Sequence, residues 1–237
     1  MTIDAKYTDA RALNERVRQS EESEIVIQNC LGHRYIACGS AGKTFTVEGV
    51  AGNALGAYLN GSRITVRGNA QDAVGDTMND GEIAVCGNSG DATGYAMRGG
   101  KIFVRGNAGY RAGIHMKSYR DKVPALVIGG SAGDFLGEYQ AGGVIAVLGI
   151  GVTGCVVGRQ CGAGQHGGKI FLRAPLPADL PPQVKARKAT ESDLRELEQL
   201  TAQFCALFGV NRAEIAGEFY LLTPDTANPY KRMYVNN

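Results

Sequence analysis

Short apolar runs recur at a nearly fixed distance along the middle of the chain. Four of them begin 19 residues apart, at positions 45, 64, 83 and 102, and the later gaps are 24, 19 and 25 residues. A constant spacing near 20 residues is typical of proteins built from stacked repeats. The runs are Phe45-Thr46-Val47, Ile64-Thr65-Val66, Ile83-Ala84-Val85, Ile102-Phe103-Val104, Leu126-Val127-Ile128, Ile145-Ala146-Val147 and Ile170-Phe171-Leu172.

Glycines follow the same spacing. A G-x-x-G-x-x-x-G string begins at Gly49, Gly87, Gly106 and Gly130, recurs two residues late at Gly151, and has Gln71 in place of its middle glycine in the second repeat. Glycine permits the positive φ at which a chain turns sharply. When a triplet stacks on its copy one repeat away, at the spacing of paired strands, its backbone N–H and C=O groups find hydrogen-bond partners. The sequence therefore predicts an all-β fold, a single-stranded parallel β-helix of about seven coils, right-handed by the usual hand of crossover connections.

Side chains at equal offsets from the triplets share their chemistry, as stacking requires. One predicted column is small, one is large and apolar, and one is an amide ladder. Because the methionines recur at the repeat spacing, we interpret them as core residues and not as a cofactor site. The columns are Ala51, Ala70, Ser89, Ala108 and Ala132, then Leu59, Met78, Met97 and Met116, then Asn69, Asn88 and Asn107.

The segments that flank the repeats have different patterns. Residues 8–19 predict a short helix that Thr8 or Asp9 caps, and residues 24–37 an irregular first coil. Four prolines between Ala174 and Thr190 predict a linker. A helix with an apolar face is expected from 191 to Phe208, capped by Thr190 and ended by Gly209, then a shorter one near 212–217 and an extended aromatic tail from 219 to 234. The predicted domains are therefore 1–23, 24–173, 174–190 and 191–237.

The middle residues of the triplets point out of the predicted coils. None of them is charged, and they become more apolar toward the C-terminus, from Thr46 to Phe171. This leaves no outward carboxylates for glycoside chemistry on that face. Such an apolar stripe requires cover, and the candidates are the Leu194–Phe208 helix and a partner subunit. Two longer coils, with insertions within 117–124 and around 150 and 159–166, predict surface loops.

Composition excludes several classes of function. The chain carries 25 Lys and Arg against 23 Asp and Glu, a net charge of +2, which gives no electrostatic case for binding nucleic acid or an anionic membrane. Six cysteines include no C-x-x-C pair, and the N-terminus lacks the apolar core of a signal peptide, so we expect a reducing cytoplasm. The uncharged run from Ala141 to Gly158 has glycines at the repeat corners, so we assign it to coils and not to a membrane span.

Several motifs suggest chemistry but lack the context that the chemistry needs. Two G-x-G-x-x-G strings, at 149–154 and 162–167, are followed by no predicted helix, as a dinucleotide site requires. Cys155, Cys161 and His166 match no zinc spacing. Thr2 would become a terminal nucleophile only after removal of Met1, and nothing nearby in the sequence offers an oxyanion hole. We therefore predict no catalytic, cofactor-binding or metal-binding residue.

An acidic pair follows the glycine at position 133. Asp134 and Glu138, with Tyr139 beside them, could form an acid cluster, but we interpret them as solvated residues at the corners of the coils.

The glycine-rich strings resemble the C-terminal GXGXG-repeat β-helix domain of the glutamate synthase large subunit, in a free-standing form. The likeness covers about residues 24–173, and the helices within 191–217 are similar to that family's closing helices. The strings that carry it are Gly106-Asn107-Ala108-Gly109-Tyr110-Arg111-Ala112-Gly113-Ile114-His115-Met116-Lys117, Gly130-Ser131-Ala132-Gly133-Asp134-Phe135-Leu136-Gly137-Glu138-Tyr139-Gln140-Ala141-Gly142-Gly143 and Cys161-Gly162-Ala163-Gly164-Gln165-His166-Gly167-Gly168.

That resemblance implies a non-catalytic scaffold subunit. It would brace a glutaminase-type and an FMN synthase-type subunit around the passage that ammonia takes, in glutamate biosynthesis and nitrogen assimilation. FMN and iron–sulfur clusters would lie on those partners and not on this chain, which lacks both catalytic parts. A homo-oligomer is a further option.

The same coils also resemble the third subunit of formylmethanofuran dehydrogenase and of the related formyltransferase/hydrolase complex. In that alternative the chain would again support a catalytic neighbour. A third alternative, of another class, is a stand-alone structural or binding solenoid.

Overall fold

A computed structural model describes residues 1–226 of the chain. These residues form mostly β-structure, with two α-helices and one short 3-10 helix. In chain order the elements are β1 (Thr2–Asp4), α1 (Ala10–Gln19), β2 (Glu24–His33), β3 (Thr44–Ala51), β4 (Asn60–Arg67), β5 (Asp80–Val85), β6 (Lys101–Val104), β7 (Ala125–Ile128), β8 (Ala141–Val147), β9 (Gly167–Arg173), β10 (Val184–Lys188), α2 (Glu191–Phe208), the 3-10 helix (Arg212–Ile215) and β11 (Phe219–Pro224).

The strands join one sheet of 11 strands in the order β1-β2-β3-β4-β5-β6-β7-β8-β9-β11-β10. From β1 to β9 each strand pairs in parallel with its successor in the sequence. The predicted register is confirmed, because the first residues of successive triplets are direct partners. That row runs through Ile25, Phe45, Ile64, Ile83, Ile102, Leu126, Ile145 and Ile170.

The interior columns also match the sequence pattern. The Leu59, Met78, Met97 and Met116 side chains are fully buried in one apolar cluster, so they are core residues. The small-residue column forms bridges such as Ala51 to Ala70, and it continues beyond Ala132 to Val157.

The amide ladder is present, in a form that joins side chain to backbone. The Asn69 Oδ1 accepts from the backbone N–H of Asn88 at 2.8 Å, and the Asn88 Oδ1 accepts from that of Asn107 at 2.8 Å. A second ladder of the same kind was not predicted: Asp72 Oδ1 accepts from the N–H of Asp91 at 2.9 Å. An amide oxygen serves in one ladder and a carboxylate oxygen in the other, since each needs only an acceptor.

The N-terminal segment closes one end of the sheet. Helix α1 begins after Asp9, whose side chain accepts from the backbone N–H of Ala12, and it buries Leu13 and Val17 in the same cluster as the triplets. Strand β1 was not predicted, because three residues carry no periodic signal. It pairs with β2 and adds Ile3 to the core.

The C-terminal segment closes the other end. Strand β11 lies antiparallel between β9 and β10. Strand β10 lies within 174–190, the stretch that its prolines predict to be a linker. The part of the expected aromatic tail from Ala227 to Tyr234 lies outside the described residues.

Helix α2 covers the apolar stripe. Its capping box at Thr190 and Asp193 and its left-handed end at Gly209 (φ 65°) are as predicted. Leu197, Leu200 and Phe204 of this helix are buried in one cluster together with outward residues of the later triplets. Those residues are Phe103, Val127, Ala146 and Phe171. Of the two covers expected from the sequence, the helix is the one that occupies this part of the stripe.

Candidate partner-binding surface

The turn around the last glycine of each glycine string has an unusual backbone. Three positions two residues apart adopt left-handed φ, and the middle one is glycine in most repeats. In the repeat with Arg111, Gly113 and His115, the outer two donate their N–H groups to carbonyls of the following repeat, at 2.9 Å each. Gly113 donates in the opposite direction, to the preceding repeat, at 2.7 Å. Each corner is therefore tied to both of its neighbours.

In the five repeats between positions 54 and 139, the outer positions carry non-glycine residues. Left-handed backbone costs such residues roughly 1–2 kcal/mol each. In successive repeats these positions are Ala54 and Tyr58, Ala73 and Thr77, Ala92 and Ala96, Arg111 and His115, and Phe135 and Tyr139. Tyr58 is large as well, but among these five repeats the last two are the ones with large side chains at both outer positions. The alanines at the equivalent positions show that the left-handed geometry does not require them.

The large side chains of the later repeats stack on one another. The His115 ring lies nearly parallel to the Tyr139 ring, with centroids 5.2 Å apart and an angle of 10°. Tyr95 meets the other side of His115 edge-on, with centroids 6.0 Å apart. Gly164 supports the far end, because a Cβ there would lie 2.6 Å from Tyr139 Cε1. Ring pairs of this kind gain about 0.5–1.5 kcal/mol beyond their buried area.

An arginine lies beside the rings. The Arg111 guanidinium is 4.7 Å from the Tyr110 ring centroid and 5.4 Å from that of Phe135. Its Nε is 2.7 Å from Oε2 of Glu138, a buried carboxylate. The guanidinium is thus held in one position by two rings and one charge. We call Tyr95, Tyr110, Arg111, His115, Phe135 and Tyr139 the aromatic ridge.

The ridge is accessible and fixed. Tyr95, Tyr110, His115 and Tyr139 are exposed, and Phe135 and Arg111 are partly exposed. Tyrosine and arginine are the residues most often found at the energetic centres of protein interfaces. Side chains that are already ordered lose little entropy when a partner binds. The ridge is therefore the best candidate for a partner-binding surface among the described residues.

The acidic residues near position 133 do not form a joint site. Asp134 accepts from the backbone N–H of Arg159 at 2.7 Å, as part of the carboxylate ladder. Glu138 is buried and pairs with Arg111, so its interpretation as a solvated residue was wrong. Sequence reasoning missed the ridge, although an alignment of the repeats shows large residues at both outer positions, 111 with 115 and 135 with 139, where the two preceding repeats have alanine or threonine.

The other candidate residues have different environments. Cys161 is buried, and that burial raises the pKa of its thiol to about 12, whereas Cys155 is exposed. The His166 Nδ1 lies 3.1 Å from the Gly164 carbonyl oxygen. Thr2 belongs to β1 and pairs with Val26. Within residues 1–226 no group of three or more His, Cys, Asp or Glu side chains is placed to hold a metal ion.

The glycine strings and the uncharged run are part of the sheet and its turns. Neither G-x-G-x-x-G string is followed by a helix; the second leads directly into β9. Ala141 begins β8, and no helix between residues 1 and 226 is long and apolar enough to cross a membrane.

Comparison with solved structures finds a similar fold in a multi-subunit complex. It is the formyltransferase/hydrolase complex (FhcABCD) from Methylorubrum extorquens in complex with methylofuran, with a TM-score of 0.62 and 20% sequence identity. The likeness covers 92% of this chain and 89% of the matched chain.

Sequence comparison finds a closer likeness in an archaeon. The uncharacterized protein MJ1350 of Methanocaldococcus jannaschii is 43% identical over 250 residues, which cover 99% of this chain and 96% of that protein. The family described as GXGXG motif matches residues 22–220. The membership expected from the glycine strings is confirmed: the chain belongs to the GXGXG motif family.

Proposed function

We propose that this chain is a non-catalytic scaffold subunit of a multi-subunit enzyme complex. The observation that carries the proposal is the aromatic ridge, an exposed and ordered set of interface-type side chains. Four of its six residues, Arg111, His115, Phe135 and Tyr139, lie at left-handed backbone positions that alanine occupies in other repeats. Strain that the fold does not need is a reason to look for function at the same place.

The scaffold would be a right-handed parallel β-helix of about seven coils, with segments 1–23, 174–190 and 191–237 around a 24–173 body. Three observations support this finer description. The triplets, the small-residue bridges and the glycine corners each pair with their own copies 19–25 residues away. Right-handed crossovers are the rule for parallel strands of one sheet.

A complex of the formyltransferase/hydrolase type is the better supported setting. The solved structure that shares this fold over 92% of the chain belongs to such a complex. In this setting the catalytic groups lie on other subunits, and the ridge contacts one of them.

A glutamate synthase-type complex is the second candidate. The glycine strings at 106–117, 130–143 and 161–168 resemble the C-terminal domain of the glutamate synthase large subunit. In this setting a glutaminase-type and an FMN synthase-type subunit are the partners, and FMN and iron–sulfur clusters lie on them. A stand-alone solenoid is the third candidate, and its ridge would have no protein partner.

Affinity purification from native extract tests the proposal and separates the candidates. The tagged chain should recover formyltransferase- or hydrolase-type subunits in a fixed ratio. Recovery of glutaminase- and FMN synthase-type subunits would support the second candidate. Recovery of neither set, at several salt concentrations, would contradict the scaffold role.

A ridge variant shows whether the contact uses the proposed surface. Tyr139→Ala should weaken partner recovery at least tenfold, in the range for loss of a central interface residue. Ala96 holds the equivalent backbone position two repeats earlier, so the fold accepts alanine there. Tyr119→Ala is the matched control, since Tyr119 is also exposed but lies in the 117–124 loop, and it should leave recovery unchanged.

A further inference from the structure

A groove lies between α1 and the corner of the first repeat, at the opposite end of the sheet from β10 and β11. Its volume is about 600 Å³. One wall is the α1 face with Asn14, Val17 and Arg18, and the other is the chain from 35 to 41, with Lys43 beside it. Pockets of this size accommodate small organic molecules.

The charged lining of the groove has one sign. Arg11, Arg18 and Lys43 line it, and none of the residues that line it is acidic. Arg11 is engaged by Glu15 at 3.0 Å. Arg18 forms no ion pair with any residue in the described part of the chain, so its charge is free for a ligand.

Arg18 and Lys43, the two cationic groups of the groove that form no ion pair with a described residue, are positioned differently. The Lys43 Nζ donates to carbonyls at the end of α1, at 3.5 Å to Val17 and to Ser20 as well, and this anchors the ammonium at the groove. Arg18 and Cys38 both line the groove, and the Arg18 charge acts on the Cys38 thiol. Burial raises the pKa of the Cys38 thiol, Arg18 opposes that rise, and Asp76 adds to it.

One wall also offers an aromatic face. Tyr35 has φ 60° and is 57% exposed as a residue, at a position where the next three repeats have alanine. Close by, a Cβ at Gly39 would meet no atom within 4 Å, so the groove is open in front of this wall. As on the ridge, a large side chain is held at a strained position that alanine can fill.

We propose that this groove binds a small organic anion. Arg18 and Lys43 hold its negative group, and its apolar body lies against Tyr35, Val17 and Ala37. Guanidinium and ammonium groups are the usual partners of carboxylate and phosphate. The site is separate from the aromatic ridge, and it needs no partner subunit.

Protection of Cys38 from alkylation provides a direct assay on the isolated chain. Cys38 is exposed in the groove, and Cys86 and Cys155 are exposed elsewhere, so they serve as internal controls. The protein is labelled with N-ethylmaleimide in the presence of phenyl phosphate, and each cysteine is quantified by peptide mass spectrometry. We expect slower labelling of Cys38 alone.

Three further probes and three variants define the chemistry. Inorganic phosphate should protect less than phenyl phosphate, phenol less than phenyl phosphate, and benzylamine not at all. Arg18→Ala should raise the concentration for half-protection about tenfold, as for loss of a charge-assisted hydrogen bond. Arg16→Ala, an exposed arginine of α1 outside the groove, should not. Tyr35→Ala should remove the advantage of phenyl phosphate over phosphate.

The proposal is overturned by any of three results. These are no protection of Cys38, equal protection by benzylamine, and protection that Arg18→Ala and Arg16→Ala reduce alike. Protection is compared with the unprotected rate of the same variant, because Arg18 itself affects the thiol. Since the assay uses the chain alone, its outcome is independent of the partner experiment.

Discussion

Two glycine-to-alanine substitutions separate the cost of backbone conformation from the cost of stacking. Gly39 and Gly56 have almost the same left-handed φ, 66° and 63°. A Cβ at Gly39 would meet nothing within 4 Å, whereas one at Gly56 would lie 2.6 Å from Ile83 Cδ1 and 3.1 Å from Ile64 Cδ1. The two substitutions therefore share the cost of a left-handed backbone and differ in the contact that the new Cβ makes.

The expected magnitudes follow from these contacts. Alanine at left-handed φ costs roughly 1–2 kcal/mol, and about 0.4–1 kcal/mol of that is offset by a less flexible unfolded chain. Gly39→Ala should therefore lower the free energy of unfolding by about 1 kcal/mol. Ile83 is fully buried in the core, so the close contact that Gly56→Ala makes with its terminal methyl adds an overpacking cost of about 1–3 kcal/mol.

Urea unfolding followed by circular dichroism measures both losses. Ile83→Val removes the methyl group that collides, so the double variant Gly56→Ala/Ile83→Val should be more stable than the sum of the single changes predicts, by about 1–2 kcal/mol. Equal losses at Gly39 and Gly56, with no coupling to Ile83, would refute the stacking argument.

Three further predictions concern an ion pair at the start of α2, the cover of the apolar stripe and two thiols between β8 and β9. The hydrogen bond from Arg187 holds the pKa of Asp193 well below its usual 3.8, so the stability that this carboxylate contributes is complete above pH 3.8 and declines as the pH falls below it. The difference in urea midpoint between the wild type and Asp193→Asn should therefore be smaller at pH 3 than at pH 6. A difference that stays constant would contradict the ion pair. Phe204→Ala should cost about 3–5 kcal/mol and increase binding of a hydrophobic dye, because the fully buried Phe204 ring covers the stripe; unchanged dye binding would show that the helix is not the cover. Iodoacetamide should label Cys155 quickly and Cys161 only on unfolding, since burial removes Cys161 from solvent and raises the pKa of its thiol to about 12. Equal labelling rates at the two cysteines would contradict the burial of Cys161.

The repeat register could be read from the sequence because it depends on spacing alone. A strand has two faces, so triplets placed one repeat apart can pair in only one way that keeps Phe45, Ile64 and Ile83 inside. The capping residues of α1 and α2 were predictable for a similar reason, since a cap is a local contact within three residues. Local and periodic features could thus be predicted from the sequence.

Features that depend on distant contacts were not accessible. Strand β1 exists because β2 offers it an edge, and its three residues show no pattern of their own. Strand β10 forms in a proline-rich stretch because β11 returns beside it. The conformation of the ridge residues was not predictable either, because left-handed backbone is expected of glycine and nothing local signals that Arg111 or Tyr139 adopts it.

The central claim is that the aromatic ridge contacts a catalytic subunit, and photo-crosslinking tests it most directly. A photoreactive phenylalanine replaces Tyr139 in one variant and Tyr119 in another, and both rings are exposed on the isolated chain. On irradiation of the native complex, position 139 should form a covalent adduct with a catalytic subunit, of the formyltransferase/hydrolase type in the favoured setting, and position 119 should form none. An adduct at 119 with none at 139 would contradict the account.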